Sequence, residues 1–262
     1  MQDKDTEGCI GRELSMFSAE ISSEKLKEAF ETVAVLVDEC KLRFSPTKLS
    51  IRAVDPANVA MVTLDLYQDA FNKYEASEGE IGLDLERLMD ILGMAGREET
   101  VILQLDETAH KLLISIGGLV YTTSLLDPTT IRREPKIPQF ELPAHITLPG
   151  SVLVRAIKAA VKVDEYMWMQ VVNGTFILEA EGDMDNIRIK VGEDELIELE
   201  SSDEAKSLFK LEYLQDMGKA LGKANEVRID LGKDYPVKMN FKIAEGSGDV
   251  TYLLAPRVVE SE

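Results

Sequence analysis

Apolar and polar residues alternate along most of this chain, the pattern of strands with one buried face. The alternation predicts strands at 16–21, 41–45, 48–54 and 60–66, then at 101–105, 111–116 and 119–125. It returns at 145–148, 167–172, 175–180 and 187–191, and again at 227–231, 237–243 and 250–254. Asn173-Gly174 lies between two of these runs and is a strong hairpin-turn signal. A period of 3.6 replaces the alternation in four places. Leu26, Phe30, Val33, Ala34 and Val37 make one helical stripe, opened by Ser22-Ser23. Val152, Ala156, Ala159, Ala160 and Val163 make another, opened by Pro149-Gly150. Shorter helices are expected at 85–95 and 211–221, with Gly96 and Gly222 as C′ stops.

The two sets of elements have the same order, and the chain matches itself at an offset of 126. Leu85-Glu86-Arg87-Leu88-Met89-Asp90 falls on Leu211-Glu212-Tyr213-Leu214-Gln215-Asp216, and Gly96, Val101 and Leu105 fall on Gly222, Val227 and Leu231. The same offset lays Asp38-Glu39 on Asp164-Glu165 and the first helical stripe on the second. Matching blocks at one offset point to a duplicated α+β domain, each copy a sheet with two helices. The expected division is an N-terminal domain at 16–126, an extended linker at 127–143 with four prolines, and a C-terminal domain at 144–257. Residues 1–15, which lack a repeat partner, and the tail 258–262 flank them; the polar first segment is expected to be mobile.

Charge sharpens the picture. The 262 residues carry 48 acids against 29 cations, a formal charge of −19, which opposes nonspecific nucleic-acid binding by the molecule as a whole. Residues 179–204 hold eleven carboxylates against Arg188 and Lys190. Residues 149–163 instead carry Arg155, Lys158 and Lys162 without an acid, at spacings that share one helix face. Chemistry is sparse. His110 and His145 stand in a turn region and at a strand start, where surface or packing roles are expected. Cys9 and Cys40 supply neither a disulfide framework nor a structural zinc site. Glycine spacing in GKALGKA, 218–224, is wrong for a phosphate loop. The longest nearly apolar run, 112–120, is too short to span a membrane, and the acidic, polar start is unlike a secretory signal, so a cytoplasmic location is expected.

Three segments occur in order: Val54-Asp55-Pro56-Ala57-Asn58-Val59, Leu92-Gly93-Met94-Ala95-Gly96 and Tyr252-Leu253-Leu254-Ala255-Pro256-Arg257. With the Ile137-Pro138 linker and the duplicated helix pairs, they resemble the sliding DNA clamps of the proliferating-cell-nuclear-antigen family, over roughly residues 16–258. The closing Leu-Ala-Pro-Arg element is the most specific, and the short linker looks more archaeal than eukaryotic.

The resemblance implies a homotrimeric ring, its helices lining a hole and its sheets outside, that encircles duplex DNA and acts as a DNA polymerase processivity factor. It implies no enzymatic activity and no cofactor. DNA polymerase, clamp loader, nuclease and ligase would attach through a docking peptide. The DNA-facing residues that carry over are Lys27, Arg97, Arg155, Lys158, Lys162, Lys219 and Lys223. Those of the partner-peptide groove are Val54, Val59, Ile137, Pro138, Pro236, Leu253, Leu254, Ala255 and Pro256, with the backbone of 254–257 offered to the peptide. Ring closure in the family matches strands at 119–125 and 183–191. Asp90 and Gly93 stand where the family commonly has lysines, and Glu28 and Ala34 replace cations on the first helix, so a lopsided basic lining is expected. One subunit of a heterotrimeric clamp is the alternative; a metal-dependent enzyme using the acidic clusters is a remote one, since no ligand spacing supports it. A nucleoid-associated location follows for an archaeal chain and a nuclear one for a eukaryotic chain.

Overall fold

The structure is a computed structural model that describes residues 16–134 and 141–258. The first half runs β1 (Phe17–Ser22), α1 (Ser23–Ala34), β2 (Glu39–Phe44), β3 (Lys48–Val54), β4 (Ala60–Tyr67), β5 (Lys73–Ala76), β6 (Gly79–Asp84), α2 (Leu85–Gly93), β7 (Thr100–Asp106), β8 (Lys111–Ile116) and β9 (Leu119–Ser124). The second repeats it as β10 (Ala144–Leu148), α3 (Gly150–Ala160), β11 (Tyr166–Val172), β12 (Thr175–Glu181), β13 (Asn186–Lys190), β14 (Glu198–Ser201), β15 (Ala205–Lys210), α4 (Leu211–Leu221), β16 (Val227–Leu231), β17 (Val237–Ile243) and β18 (Gly248–Leu254). The duplication expected from the sequence is thus present element for element.

Three antiparallel sheets result. One has the order β5-β1-β7-β8-β9, and another β13-β12-β11-β15. The third, β14-β10-β16-β17-β18-β4-β3-β2-β6, draws strands from both halves and joins them where β18 pairs with β4, from Gly248 opposite Leu66 to Leu254 opposite Ala60. Burial alternates along most strands, so one face of each sheet packs inward. The helices cover those faces. α1 buries Leu26, Ala29, Phe30 and Val33, and α3 buries Leu153, Ala156, Ile157 and Ala160. α1 also packs on α2 and on α4, and α3 packs on α4. Ser22 caps α1 by accepting the Lys25 N–H. Asn173 and Gly174 adopt φ of 49° and 69°, the left-handed pair that turns β11 into β12.

Several expectations are corrected. The buried stripe of α1 is Leu26, Ala29, Phe30 and Val33, while Ala34 and Val37 are only half-buried. The repeat alignment therefore slips by one residue. Through the first helices and strands the offset is 127, and it becomes 126 at the second helices, because β12 to α4 is one residue shorter than β3 to α2. Backbone bonds mark the equivalence. Leu85 N–H donates to Asp38 O at 2.8 Å and Leu211 N–H to Glu165 O at 2.8 Å, so Asp38 corresponds to Glu165, not to Asp164. Gly222 closes α4 with φ −66°, right-handed, and α2 ends at Gly93, before Ala95 and Gly96. Neither Gly96 nor Gly222 has a positive φ, so neither is a left-handed stop. Alternation also failed to find β5, β6, β14 and β15.

Candidate functional site

The seven predicted cations fall into three places. Arg155 and Lys158, on successive turns of α3, and Lys219, on α4, line one groove of about 610 Å³ between the two helices. Its floor includes Val154, Ile157, Gly218 and Gly222. A Cβ on Gly222 would meet Val154 at 3.4 Å and one on Gly218 at 3.6 Å, ordinary van der Waals contact, so α4 turns its glycine backbone toward Val154 of α3. Lys158 is exposed and has no ion-pair partner among the described residues. Arg155 pairs with Glu195, and Lys219 with Asp216 at 2.8 Å one turn back. Exposed pairs of this kind are worth about 0–1 kcal/mol, so both cations remain exchangeable for phosphates.

Lys27, Arg97 and Lys223 line a second cleft, about 1250 Å³, between the start of α1 and the turn Ala244–Gly246. This one is charge-balanced. Lys223 pairs with Glu31 and Lys25 with Glu245 at 2.8 Å, while the Glu28 carboxylate accepts the Ala244 N–H at 2.9 Å. Ala244 and Glu245 are left-handed, with φ of 50° and 58°. Glu28 thus fastens the second half's turn onto α1. Lys27 Nζ donates to Ala95 O at 2.7 Å, holding a carbonyl just beyond α2. Lys162 stands apart. It lies in the turn after α3, not on the helix, beside Asp164, Glu165, Glu181 and Asp183.

Of the predicted groove residues, Val54, Val59, Pro236, Leu253, Ala255 and Pro256 are half-buried. Leu254 is fully buried, so its side chain belongs to the core and offers a partner nothing. The expected backbone donors are also spent: Ala255 N–H donates to Val59 O at 2.8 Å, Arg257 N–H donates to Leu208 O at 2.7 Å, and Pro256 has none. What the segment leaves for a peptide is its carbonyls. Ile137 and Pro138 lie outside the described residues.

The loop between Val54 and Val59 has a feature the sequence did not reveal. Asp55, 4% exposed, accepts from Ala57 N–H at 3.0 Å and from Val59 and Ala60 N–H at 2.7 Å each. It also accepts from the Tyr213 hydroxyl, on α4, at 2.8 Å. Burial raises the carboxyl's pKa, but these donors, Ala60 N–H foremost, outweigh it and hold the group below its ordinary range. The Tyr213 phenol is pushed up to about 12 by burial and by its bond to Asp55. From the linker's start, Arg132 Nη1 donates to the carbonyls of Asp55 at 3.1 Å and Pro56 at 2.7 Å. Arg43 holds the same stretch through Glu134 at 2.7 Å.

His145 Nδ1 contacts Asp230 at 2.7 Å, and His110 sits in the turn between β7 and β8 with φ 52°. Among the described residues no group of three or more His, Cys, Asp or Glu is placed to hold a metal.

A twofold-repeated α+β chain with α2, α1, α4 and α3 packed side by side, and with sheets that end in unpartnered edge strands among the described residues, defines a clamp-type protein. Comparison with known proteins agrees. The family models for the proliferating cell nuclear antigen N-terminal and C-terminal domains match residues 16–117 and 136–257. A protein of Methanocella arvoryzae named DNA polymerase sliding clamp is 55% identical over 247 residues, 94% of this chain and 100% of its own length. One of Methanosarcina barkeri with the same name is 51% identical over 243 residues, 93% of this chain and 99% of its own. A solved structure described as the C-terminal region of FEN-1 bound to A. fulgidus PCNA superposes with TM-score 0.88 at 38% identity, covering 94% of this chain and 100% of that one. PCNA from Thermococcus kodakaraensis gives 0.85 at 27% identity, covering 92% and 100%. The chain belongs to the proliferating cell nuclear antigen family of DNA polymerase sliding clamps.

Proposed function

We propose that three copies of this chain close into a ring around duplex DNA and hold polymerases and other replication and repair enzymes on it. The sheet topology carries the reading. Within the chain, β18 pairs with β4. Their repeat equivalents, β9 and β13, are both sheet edges without a partner strand among the described residues. Repeating the internal junction between copies pairs β9 of one with β13 of the next, and each half then occupies an equivalent place. Open edges invite uncontrolled pairing, and Leu119 and Val120 on β9 are 56% and 64% exposed; closure removes that liability. In a ring of three such chains the six halves are related by one sixth of a turn each.

Closure puts the helix layer around the hole. The four helices carry nearly balanced charge: Lys25, Lys27, Arg87, Arg155, Lys158 and Lys219 against Glu24, Glu28, Glu31, Glu86, Asp90, Glu212 and Asp216. The surplus acid therefore lies on strands and loops. The α3–α4 groove is the basic track within each subunit, and the first half contributes little. Such contacts reach phosphates, not base edges, and a topological link needs only weak ones, so the ring slides. Partners dock a peptide against Val54, Val59, Pro236, Leu253, Ala255 and Pro256, with Ile137 and Pro138 of the linker as further contacts. The chain contributes no catalysis of its own, and it works where the DNA is, in the cytoplasm at the nucleoid. The domain division 16–126 and 144–257 with a linker between follows from the same reading.

The test is polymerase stimulation on primed DNA. Arg155→Ala, Lys158→Ala and Lys219→Ala together are expected to leave the oligomer's mass unchanged and reduce stimulation, with a shallower salt dependence than wild type. Lys162→Ala alone is expected to stay near wild type. Stimulation by the triple variant equal to wild type across salt would contradict the assignment of this track.

A further inference from the structure

The Asp55 loop carries two of the proposed groove residues and touches both the C-terminal segment and the start of the linker. Val54 and Val59 flank it. Val59 O accepts the Ala255 N–H of the C-terminal segment, and Arg132 reaches the loop's carbonyls from the linker. Tyr213 attaches the loop to the helix layer: its hydroxyl bonds to the carboxylate oxygen that also accepts Ala57 N–H, while the other oxygen takes Val59 and Ala60 N–H. The Tyr213 hydroxyl thus completes an anion site whose remaining donors are the loop's own backbone, and Asn58 is held left-handed within it at φ 58°. Three of the four donors belong to the loop and the strand that follows it; the fourth links the turn to α4, on which Lys219 also sits.

We infer that Tyr213 is a positioning residue for partner docking: through Asp55 it sets the Val54–Val59 wall of the groove, and it ties that wall to the helix that faces DNA. The inference rests on the docking reading above. It assigns to the helix layer a part in partner binding, although Tyr213 is not itself among the groove residues. Loss of the hydroxyl frees the loop to shift relative to Ala255 and to the linker, without emptying any core position.

The experiment uses the full chain and a synthetic peptide of the FEN-1 C-terminal region, with binding read by calorimetry and backbone amide exchange read by NMR or mass spectrometry. Tyr213→Phe is expected to lower affinity roughly three- to tenfold, about the net worth of one ordinary hydrogen bond, because the lost bond acts through the loop and not on the peptide itself. Amide exchange is expected to quicken at Ala57, Val59 and Ala60 and to stay at wild-type rates across β17 and β18, which a general loss of stability would not allow. Asp55→Asn combined with Tyr213→Phe is expected to bind no more weakly than the weaker single variant, since both act through one bond. Equal affinity in wild type and Tyr213→Phe overturns the inference alone, as does faster exchange spread over the whole second half. Absence of binding to the wild-type chain overturns the docking reading and this inference with it.

Discussion

Asp55 shows how one residue type does work that its neighbours in sequence do not announce. Aspartate is short enough to reach its own following amides, and burial makes each of those bonds matter. Because the folded carboxyl lies below the ordinary 3.8, its stabilisation is complete above that value and is lost as pH falls through the folded value. Asp55→Asn is therefore expected to cost about 1–3 kcal/mol at neutral pH, the penalty for weakening a buried acceptor. Denaturant unfolding at pH 7 and pH 3 checks it: the gap to wild type narrows in acid, and an equal gap at both would contradict the account. The sequence marked the Val54–Val59 segment but not its chemistry. Asp55 and Tyr213 stand 158 positions apart and Arg132 lies in a proline-rich linker, so no local period brings them together. The cations were legible because they break a strongly acidic background. Lys162 was misplaced because the i, i+7 spacing ran past the end of α3 at Ala160.

At the level of elements, most of the architecture could be read from alternation, since antiparallel strands with one solvated face write their burial directly into the sequence. β3, β8, β16, β17 and α4 have the bounds the pattern predicts. The four strands it missed are those where that link fails. β5 and β14 are short and mostly polar edge strands, β6 contains two glycines, and β15 buries the polar Ser207 while turning Leu208 outward. The one-residue slip between α1 and α3 has a similar origin, because alanine-rich α3 offers apolar residues at neighbouring positions and the pattern alone does not choose among them. Gly150 is the position where helix packing is least forgiving. A Cβ there would lie 1.8 Å from Leu221 O and 2.9 Å from Ala224 O, so the start of α3 rests directly on the end of α4. Gly150→Ala is expected to destabilise the chain by about 1–3 kcal/mol through this overlap, read as a lower denaturant midpoint. A midpoint equal to wild type would mean that the helices separate at no cost.

For the whole molecule, fold and charge answer one problem. A chain of −19 is repelled by DNA, yet it presents helices of nearly balanced charge and one basic groove between α3 and α4. Retention by enclosure makes that sufficient, because a closed ring needs no tight grip. In the proposed ring, enclosure depends on β9 meeting β13 of another copy, as β18 meets β4 within the chain. Light scattering on the purified chain at micromolar concentration tests this most directly. The account predicts a single species of three times the 29.1 kDa chain mass. A strict monomer would contradict it.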